Sequence, residues 1–275
     1  MTTRIFTGHE LADEIHQRTR ALVAELGRAP RCTVLLDEAN APMRAYAQRQ
    51  QEAAADVGVD LAFASYETTA DDLHAQLQRL GADPAIDAVM TLYPLPPGAD
   101  AVSAALLIGE GKDVDGLHPY NAGPLALGAN ARAPATARAC LLALEHLAGP
   151  LKGMEVAIVG ASRIVGRPLG AMLLDAGATI SICHDATRDL RAHTAAADVV
   201  VTAAGVPGLI DASHIGQGAI LVDVSIVRTA DGLVGDVDLA SVEGKAAVVT
   251  HVPDGIGPIT TACLFENVAL AALAR

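Results

Sequence analysis

The segment from Glu155 to Asp185 constrains the fold more than any other stretch of the chain. A compact apolar run, Val156-Ala157-Ile158-Val159, leads into a glycine-punctuated loop, Gly160-Ala161-Ser162-Arg163-Ile164-Val165-Gly166-Arg167-Pro168. A helix-like segment from Leu169 to Ala176 follows and stops at Gly177. A second apolar run, Thr179 to Cys183, ends in His184-Asp185. Strand, glycine turn, helix, strand and acid is the order of a dinucleotide-binding βαβ unit. Glycines let backbone N–H groups approach a pyrophosphate, and the helix N-terminus offers partial positive charge. An acid at the tip of the second strand can accept hydrogen bonds from an adenosine ribose. The glycine spacing is neither G-x-G-x-x-G nor a phosphate loop ending in Gly-Lys-Ser/Thr, so the loop alone is compatible with a plain tight turn. The flanking strand, the helix and Asp185 supply the rest of the signal.

Composition narrows the class further. At 275 residues the chain has room for one large or two modest domains, with a core that needs no staples. A net charge of -13 disfavours nucleic acid and anionic membranes as partners. Cys32, Cys140, Cys183 and Cys263 lie far apart, with no metal-ligand spacing. They read as small buried hydrophobes in a reducing, cytoplasmic setting, and no metal is expected. The N-terminal residues lack a signal-peptide core, and no apolar run is expected to reach transmembrane length.

Periodicity gives alternating helices and strands before the glycine loop. Residues 8–27 and 42–57 read as helices closed by Gly27 and Gly58, and 70–80 as a third. Thr33–Leu36, Leu61–Ser65 and Ile86–Leu92 read as strands. Lys112 to Gly123 reads as an irregular stretch, and Pro134 opens a helix through Ala148. Further strands are expected at Val199–Ala203, Ala219–Val224 and Ala247–Thr250, and a final helix from Thr261 to Ala274 after a Gly/Pro hinge at 253–258. This alternation argues for an α/β protein with parallel sheets.

Several blocks, in order and over nearly the whole chain, resemble the methylenetetrahydrofolate dehydrogenase/cyclohydrolase family. They are Asp113-Val114-Asp115-Gly116 with Asn121 and Gly123, the Gly160–Pro168 loop, Cys183-His184, Gly235-Asp236-Val237-Asp238 and Val252–Thr260. The resemblance implies a Rossmann-type dinucleotide-binding domain at 136–257. It implies an α/β folate domain at 1–135, completed by the C-terminal helix at 258–275. It implies an active site in the cleft between them, and a homodimer. It carries Tyr46, the Gln50 position and Asp115 as catalytic. It carries Tyr46, Leu92, Asp115, Pro253 and Gly255 as substrate-binding. Gly160, Ala161, Ser162, Arg163, Ile164, Gly166, Asp185, Ala204, Ser225, Ile226 and Thr260 become cofactor-binding residues.

The family's active-site blocks do not all survive. Where the family has serine, tyrosine and, four residues on, lysine, this chain has Met43, Tyr46 and Gln50. Where it has Val-Gln-Leu-Pro-Leu-Pro, the chain reads Thr91-Leu92-Tyr93-Pro94-Leu95-Pro96, so the glutamine is Leu92. Dehydrogenation of the one-carbon bridge leaves an amidinium cation and asks chiefly for positioning. Hydrolytic opening of that cation needs proton transfer, which the family lysine serves. Gln50 cannot titrate in this range and Leu92 cannot hydrogen-bond. Alternation along the strand turns Tyr93 the other way, and Lys112 reads as a solvated or ion-paired lysine rather than a replacement base. NADP-using members carry Gly-Arg-Ser in the loop and Cys-His-Ser at the strand end. Ala161 and Asp185 here remove a positive charge and add a negative one, which favours NAD. The expected protein is an NAD-dependent methylenetetrahydrofolate dehydrogenase with little or no cyclohydrolase activity. Its rivals are a dehydrogenase for another reduced carrier and a non-catalytic folate- or nucleotide-binding paralogue.

Overall fold

The computed structural model describes residues 2–67, 69–230 and 232–275. In chain order the elements begin with β1 (Arg4–Phe6), α1 (His9–Leu26), β2 (Arg31–Leu36), α2 (Ala41–Asp56), β3 (Asp60–Ser65), α3 (Ala70–Ala82), β4 (Ala88–Thr91), α4 (Ala101–Ile108) and α5 (Pro119–Ala126). They continue with α6 (Ala135–Ala148), β5 (Glu155–Val159), α7 (Gly166–Asp175), β6 (Thr179–Cys183), α8 (Leu190–Thr194), β7 (Val199–Thr202), β8 (Ile220–Asp223), β9 (Val227–Thr229), β10 (Gly232–Val234), α9 (Leu239–Val242), β11 (Val248–Thr250) and α10 (Ile256–Leu273).

Two compact units account for the chain. One comprises the N-terminal residues through Ala12, Leu125–Ala129 and Thr136–Thr260; the other comprises Asp13–Pro124, Asn130–Ala135 and Thr261–Arg275. The division expected from sequence, 1–135 with 258–275 against 136–257, is therefore corrected at its start. Arg4, Ile5 and Phe6 pair in parallel with Val248, Val249 and Thr250, which makes β1 an edge strand of the dinucleotide-type sheet. A three-residue strand has too little periodicity to be read from sequence.

The larger sheet runs β1-β11-β8-β7-β5-β6, and each of its pairings is parallel. Parallel strands are covered on both faces, so they read as near-continuous apolar runs. Val156, Ala157, Ile158 and Val159 of β5, and Val199, Val200 and Val201 of β7, are all buried. The chain leaves β5 toward β6 on one side and returns to β7 on the other. The boundary between β5 and β7 is thus a topological switch point, where a doubly wound sheet opens a crevice at the carboxyl ends of its strands.

The smaller sheet, β3-β2-β4, is also parallel. Its helices begin where side chains cap them. Asn40 accepts from the Met43 N–H at the start of α2, Thr69 from Asp72 at α3, and Asp100 from Val102 and Ser103 at α4. Leu73, Leu77 and Leu80 of α3 pack with Leu35, Val89, Ala104 and Ile108 in one core cluster. The stretch expected to be irregular around Asn121 is helical, α5, with Pro124 inside it. The expected Gly/Pro hinge is partly helical too, because α10 begins at Ile256 and takes in Gly257 and Pro258. Helix α10 is long and apolar enough to cross a membrane by length and composition, contrary to the expectation from sequence. It is 67% buried inside the protein, as a core helix is.

Candidate functional site

In the smaller sheet's unit, the Asp113–Gly116 segment is built as a rigid frame around one open carboxylate. Asp113 pairs with Val89 as an extension of the sheet. Its Oδ2 accepts from the His118 N–H at 2.8 Å and the Asn121 amide at 2.9 Å. Arg132 donates to the Asp113 carbonyl at 2.9 Å. The Asn267 amide donates to the Val114 carbonyl at 2.9 Å and the Ala133 carbonyl at 3.0 Å. Gly116 has φ +67, and a Cβ there would stand 2.5 Å from the Arg132 carbonyl, so only glycine closes the turn. Asp115 is left over. It is partly buried and accepts no hydrogen bond among the described residues. Burial, with the Asp113 charge second, pushes its carboxyl up to about 7.

Of the residues expected beside Asp115, Tyr46 has a phenol that feels the Asp115 charge, and Gln50 lies beside Tyr46. Tyr46 and Gln50 sit one turn apart on α2, and Leu92 continues β4, its N–H donating to the Leu35 carbonyl at 3.1 Å. Tyr46 is 40% exposed, while Met43, Gln50 and Leu92 are 4%, 2% and 5% exposed. Desolvation raises the Tyr46 phenol, the Gln50 amide draws it back, and the Asp115 charge adds to the rise. Gln50 lies close to that hydroxyl without a well-directed hydrogen bond. Neither its nitrogen nor its oxygen has a partner among the described residues. A buried amide with both ends unmet is uncommon in folded proteins and costs stability.

Two expectations are corrected here. Tyr93 belongs to this cluster: desolvation and then the Asp115 charge raise its phenol, and β4 ends at Thr91, so strand alternation does not govern it. Lys112 is not solvated, and it has no ion pair among the described residues. It is 7% exposed and donates to the Leu80 and Asp83 carbonyls, the former at 3.0 Å, and burial lowers its pKa.

In the other unit, the glycine loop forms as its sequence implies. Gly160 has φ +121, and a Cβ there would stand 2.5 Å from the Ala203 carbonyl across the switch point. A Cβ on Gly166 would stand 1.8 Å from the Gly160 carbonyl, so the helix start abuts the strand end. Ser162 organises the turn between them, its hydroxyl accepting from the Val165 N–H and its carbonyl from the Arg167 N–H, both at 3.1 Å. Ala161, Ser162, Arg163 and Ile164 line the loop, partly or fully exposed. Helix α7 has Val165 at its N-cap and no side-chain cap, which leaves its end free for an anion. This cradle fits a dinucleotide pyrophosphate. Asp185, just past β6, is fully exposed. It caps nothing, since Asp189 caps α8 and Thr187 receives the His184 N–H.

Past β7 and β8 lie Ala204, Ser225 and Ile226, the last 52% exposed. Pro253 and Gly255 precede or open α10 in this same unit, and Thr260 lies on its second turn. Sequence reading missed one feature here. Asp236 and Asp223, 0% and 3% exposed, form a buried carboxylate pair with no cation beside it among the described residues. An acid ending a buried strand, Ile220-Leu221-Val222-Asp223, was the available signal. No metal-ligating cluster occurs among the described residues.

Fold and sites together define a two-unit α/β protein with an NAD(P)-binding Rossmann-type unit and a unit bearing an acid–tyrosine cluster. Residues 6–115 match the tetrahydrofolate dehydrogenase/cyclohydrolase catalytic domain, and residues 134–275 match the NAD(P)-binding domain of the same family. The chain is 42% identical to the bifunctional protein FolD of Acidithiobacillus ferrooxidans, across 99% of this chain and 97% of that one. Its fold is similar to the crystal structure of the bifunctional FolD methylenetetrahydrofolate dehydrogenase/cyclohydrolase of Campylobacter jejuni. That match has a TM-score of 0.93 and 34% identity, covering 99% of each chain. It is similar also to the Trypanosoma brucei enzyme complexed with NADP cofactor and inhibitor, with a TM-score of 0.91 and 30% identity over 100% and 98% of the two chains. The chain belongs to the tetrahydrofolate dehydrogenase/cyclohydrolase family.

Proposed function

We propose that this protein is an NAD-dependent 5,10-methylenetetrahydrofolate dehydrogenase with little or no cyclohydrolase activity. Gln50 carries the reading. A neutral, buried, unpartnered carboxamide stands where the resemblance puts a titrating lysine. Leu92, without any polar atom, stands at the position of that lysine's glutamine partner. The chain's own groups then suit positioning. Asp115, free of protein donors, would accept two charge-assisted hydrogen bonds from an aminopyrimidinone edge. Tyr46 would stack beside the pterin, and the Gln50 amide would face the one-carbon region, able to donate and accept but not to carry a proton. When bound, the nicotinamide supplies the hydride acceptor. Nothing in this set activates water against the methenyl cation, a role typically worth about 10²–10⁴-fold. The test is to add 5,10-methenyltetrahydrofolate and follow its absorbance. Decay no faster than in buffer is expected, and clear enzyme-dependent decay overturns the reading.

The choice of NAD rests on Asp185. A fully exposed carboxylate beyond β6 with no capping duty is available to ribose hydroxyls and repels a 2′-phosphate. A relative complexed with NADP is the reason to test both cofactors. Steady-state kinetics with each is the measurement, and a preference for NADP overturns the assignment. We also infer a cytoplasmic homodimer. The open edge of β6, with Ile182 on it 38% exposed and Leu174 of the neighbouring α7 57% exposed, supports the dimer, and sedimentation would check it.

A further inference from the structure

Buried carboxylates in the dinucleotide-type unit have a role that the residues expected to bind cofactor do not explain. Asp236 follows the β9–β10 hairpin and is 0% exposed. Its Oδ2 accepts from the Thr202 hydroxyl at 2.7 Å, the Ala204 N–H at 2.7 Å and the Ser225 hydroxyl at 2.8 Å. Its Oδ1 accepts from the Val206 N–H at 2.7 Å. The Ser225 hydroxyl in turn accepts from the Gly205 N–H at 3.0 Å. One carboxylate therefore holds the end of β7, the loop beyond it and the first turn beyond β8. Short hydrogen bonds to a charged acceptor are about twice as strong as neutral ones.

Asp236 is itself fixed. Its N–H donates to Asp223 Oδ1 at 3.1 Å, and its carbonyl accepts from the Ile210 N–H at 3.0 Å. Asp223 also receives the Ser225 and Val237 N–H groups. A Cβ on Gly235 would stand 2.0 Å from Asp223 Oδ2, so the backbone must approach that carboxylate closely. The loop so held abuts Gly160 across the switch point, where the parallel sheet opens its crevice.

We propose that Asp236 is the positioning residue of the dinucleotide site: its carboxylate holds Ala204–Val206 and Ser225 in the one arrangement that receives the cofactor. This rests on the reading above that Ala204 and Ser225 contact that cofactor. Asp236 touches neither cofactor nor substrate in this role and acts through the loops.

Asp236→Asn is the discriminating variant, because it keeps shape but replaces one acceptor oxygen by a donor. With the amide oxygen toward Thr202, Ala204 and Ser225, the NH₂ faces the Val206 N–H, and that contact becomes repulsive. Amide hydrogen exchange at Gly205 and Val206 should quicken while β5 stays protected. The Michaelis constant for the dinucleotide should rise about tenfold or more, with that for the folate substrate unchanged within about twofold. Equal losses for both substrates, or unchanged exchange and an unchanged dinucleotide constant in a folded variant, overturn the proposal. If Asp236→Asn fails to fold, Thr202→Val removes a single donor from the same carboxylate. It should raise the dinucleotide constant by about threefold to fivefold, consistent with the net worth of one typical hydrogen bond acting through the loop. No change there overturns the proposal. A wild-type protein that binds neither NAD nor NADP by calorimetry overturns the cofactor reading and the role with it. Hydrogen exchange still reports the tether separately in that case.

Discussion

Asp115 and Asp223 are both acids at the carboxyl end of a parallel sheet, and they are treated in opposite ways. Asp223, with its neighbour Asp236, is saturated: three backbone N–H groups point at Asp223, and two backbone N–H groups and two hydroxyls at Asp236. Asp115 receives none among the described residues, although Asp113 two positions earlier receives two. Both acids pay desolvation, which pushes Asp223 up to about 6 and Asp115 up to about 7. Folding thus spends donors on the acids that shape a loop and withholds them from one. A carboxylate desolvated yet unserved is poised for donors from outside.

The contrast is broken most decisively by truncating each acid. Asp115→Ala should lower turnover by about a hundredfold or more, the cost of removing one partner of a buried charged pair. It should leave dinucleotide binding intact and should not lower the melting temperature, because no protein donor is orphaned and a desolvated charge is removed. Near-normal activity would show that the ligand is not a pterin or binds elsewhere. Asp223→Ala should do the reverse to stability. It strands three buried N–H groups and should cost on the order of 3 kcal/mol. That corresponds to a melting temperature lower by roughly 10 °C for a chain of this size. An unchanged melt would mean those bonds are replaceable by water.

Gln50 and Asp185 sharpen the same contrast at smaller magnitude. Gln50→Lys places a titrating group beside Tyr46 but leaves Leu92 opposite the task. Ring opening of the methenyl cation should then recover by no more than about tenfold over buffer, well below what a tuned acid–base group supplies. Full recovery of hydrolysis would show that the lysine alone suffices. Asp185→Ser should narrow the preference for NAD over NADP by about tenfold, since Asp185 is fully exposed and solvent screens its charge. Unchanged selectivity in that variant would remove Asp185 from the cofactor argument.

Much of this was legible in the sequence, for physical reasons that also explain the remainder. The glycine loop is visible because close backbone approach tolerates no Cβ at Gly160 or Gly166. The parallel strands are visible because burial on both faces writes continuous apolar runs. Strand β1 was missed because three residues carry no period, and its partner β11 lies 244 positions away in the register Arg4 to Val248. Helix α5 was missed because Pro119, Gly123 and Pro124 read as loop residues, whereas Asn121 is drawn inward by Asp113. The unmet amide of Gln50 cannot be read from one sequence at all. Only packing tells whether a glutamine on a helix faces water or a dry pocket.

A further effect concerns pH, and its sign follows from Asp115. Its carboxyl titrates at about 7 in the folded protein against an ordinary value of 3.8. The ionised form is therefore the one that folding disfavours. That cost is absent below the ordinary value, grows as pH rises from there to 7, and is complete above it. The free protein should melt a few degrees higher near pH 5.5 than near pH 8, with Asp223 contributing in the same direction. The Asp87 carboxylate, held down first by its hydrogen bond from Arg28, loses its stabilisation only below the ordinary carboxylate range. It does not oppose this trend inside the window. A pterin that donates to the Asp115 carboxylate selects the ionised form. The affinity for folate should tighten by up to about tenfold per unit as pH rises toward 7 and level off beyond it. In Asp115→Asn that slope should vanish while the weaker binding persists. A slope retained in that variant would assign the titration to another group, with Tyr93 and Tyr46, both raised away from neutrality by burial, excluded as its source.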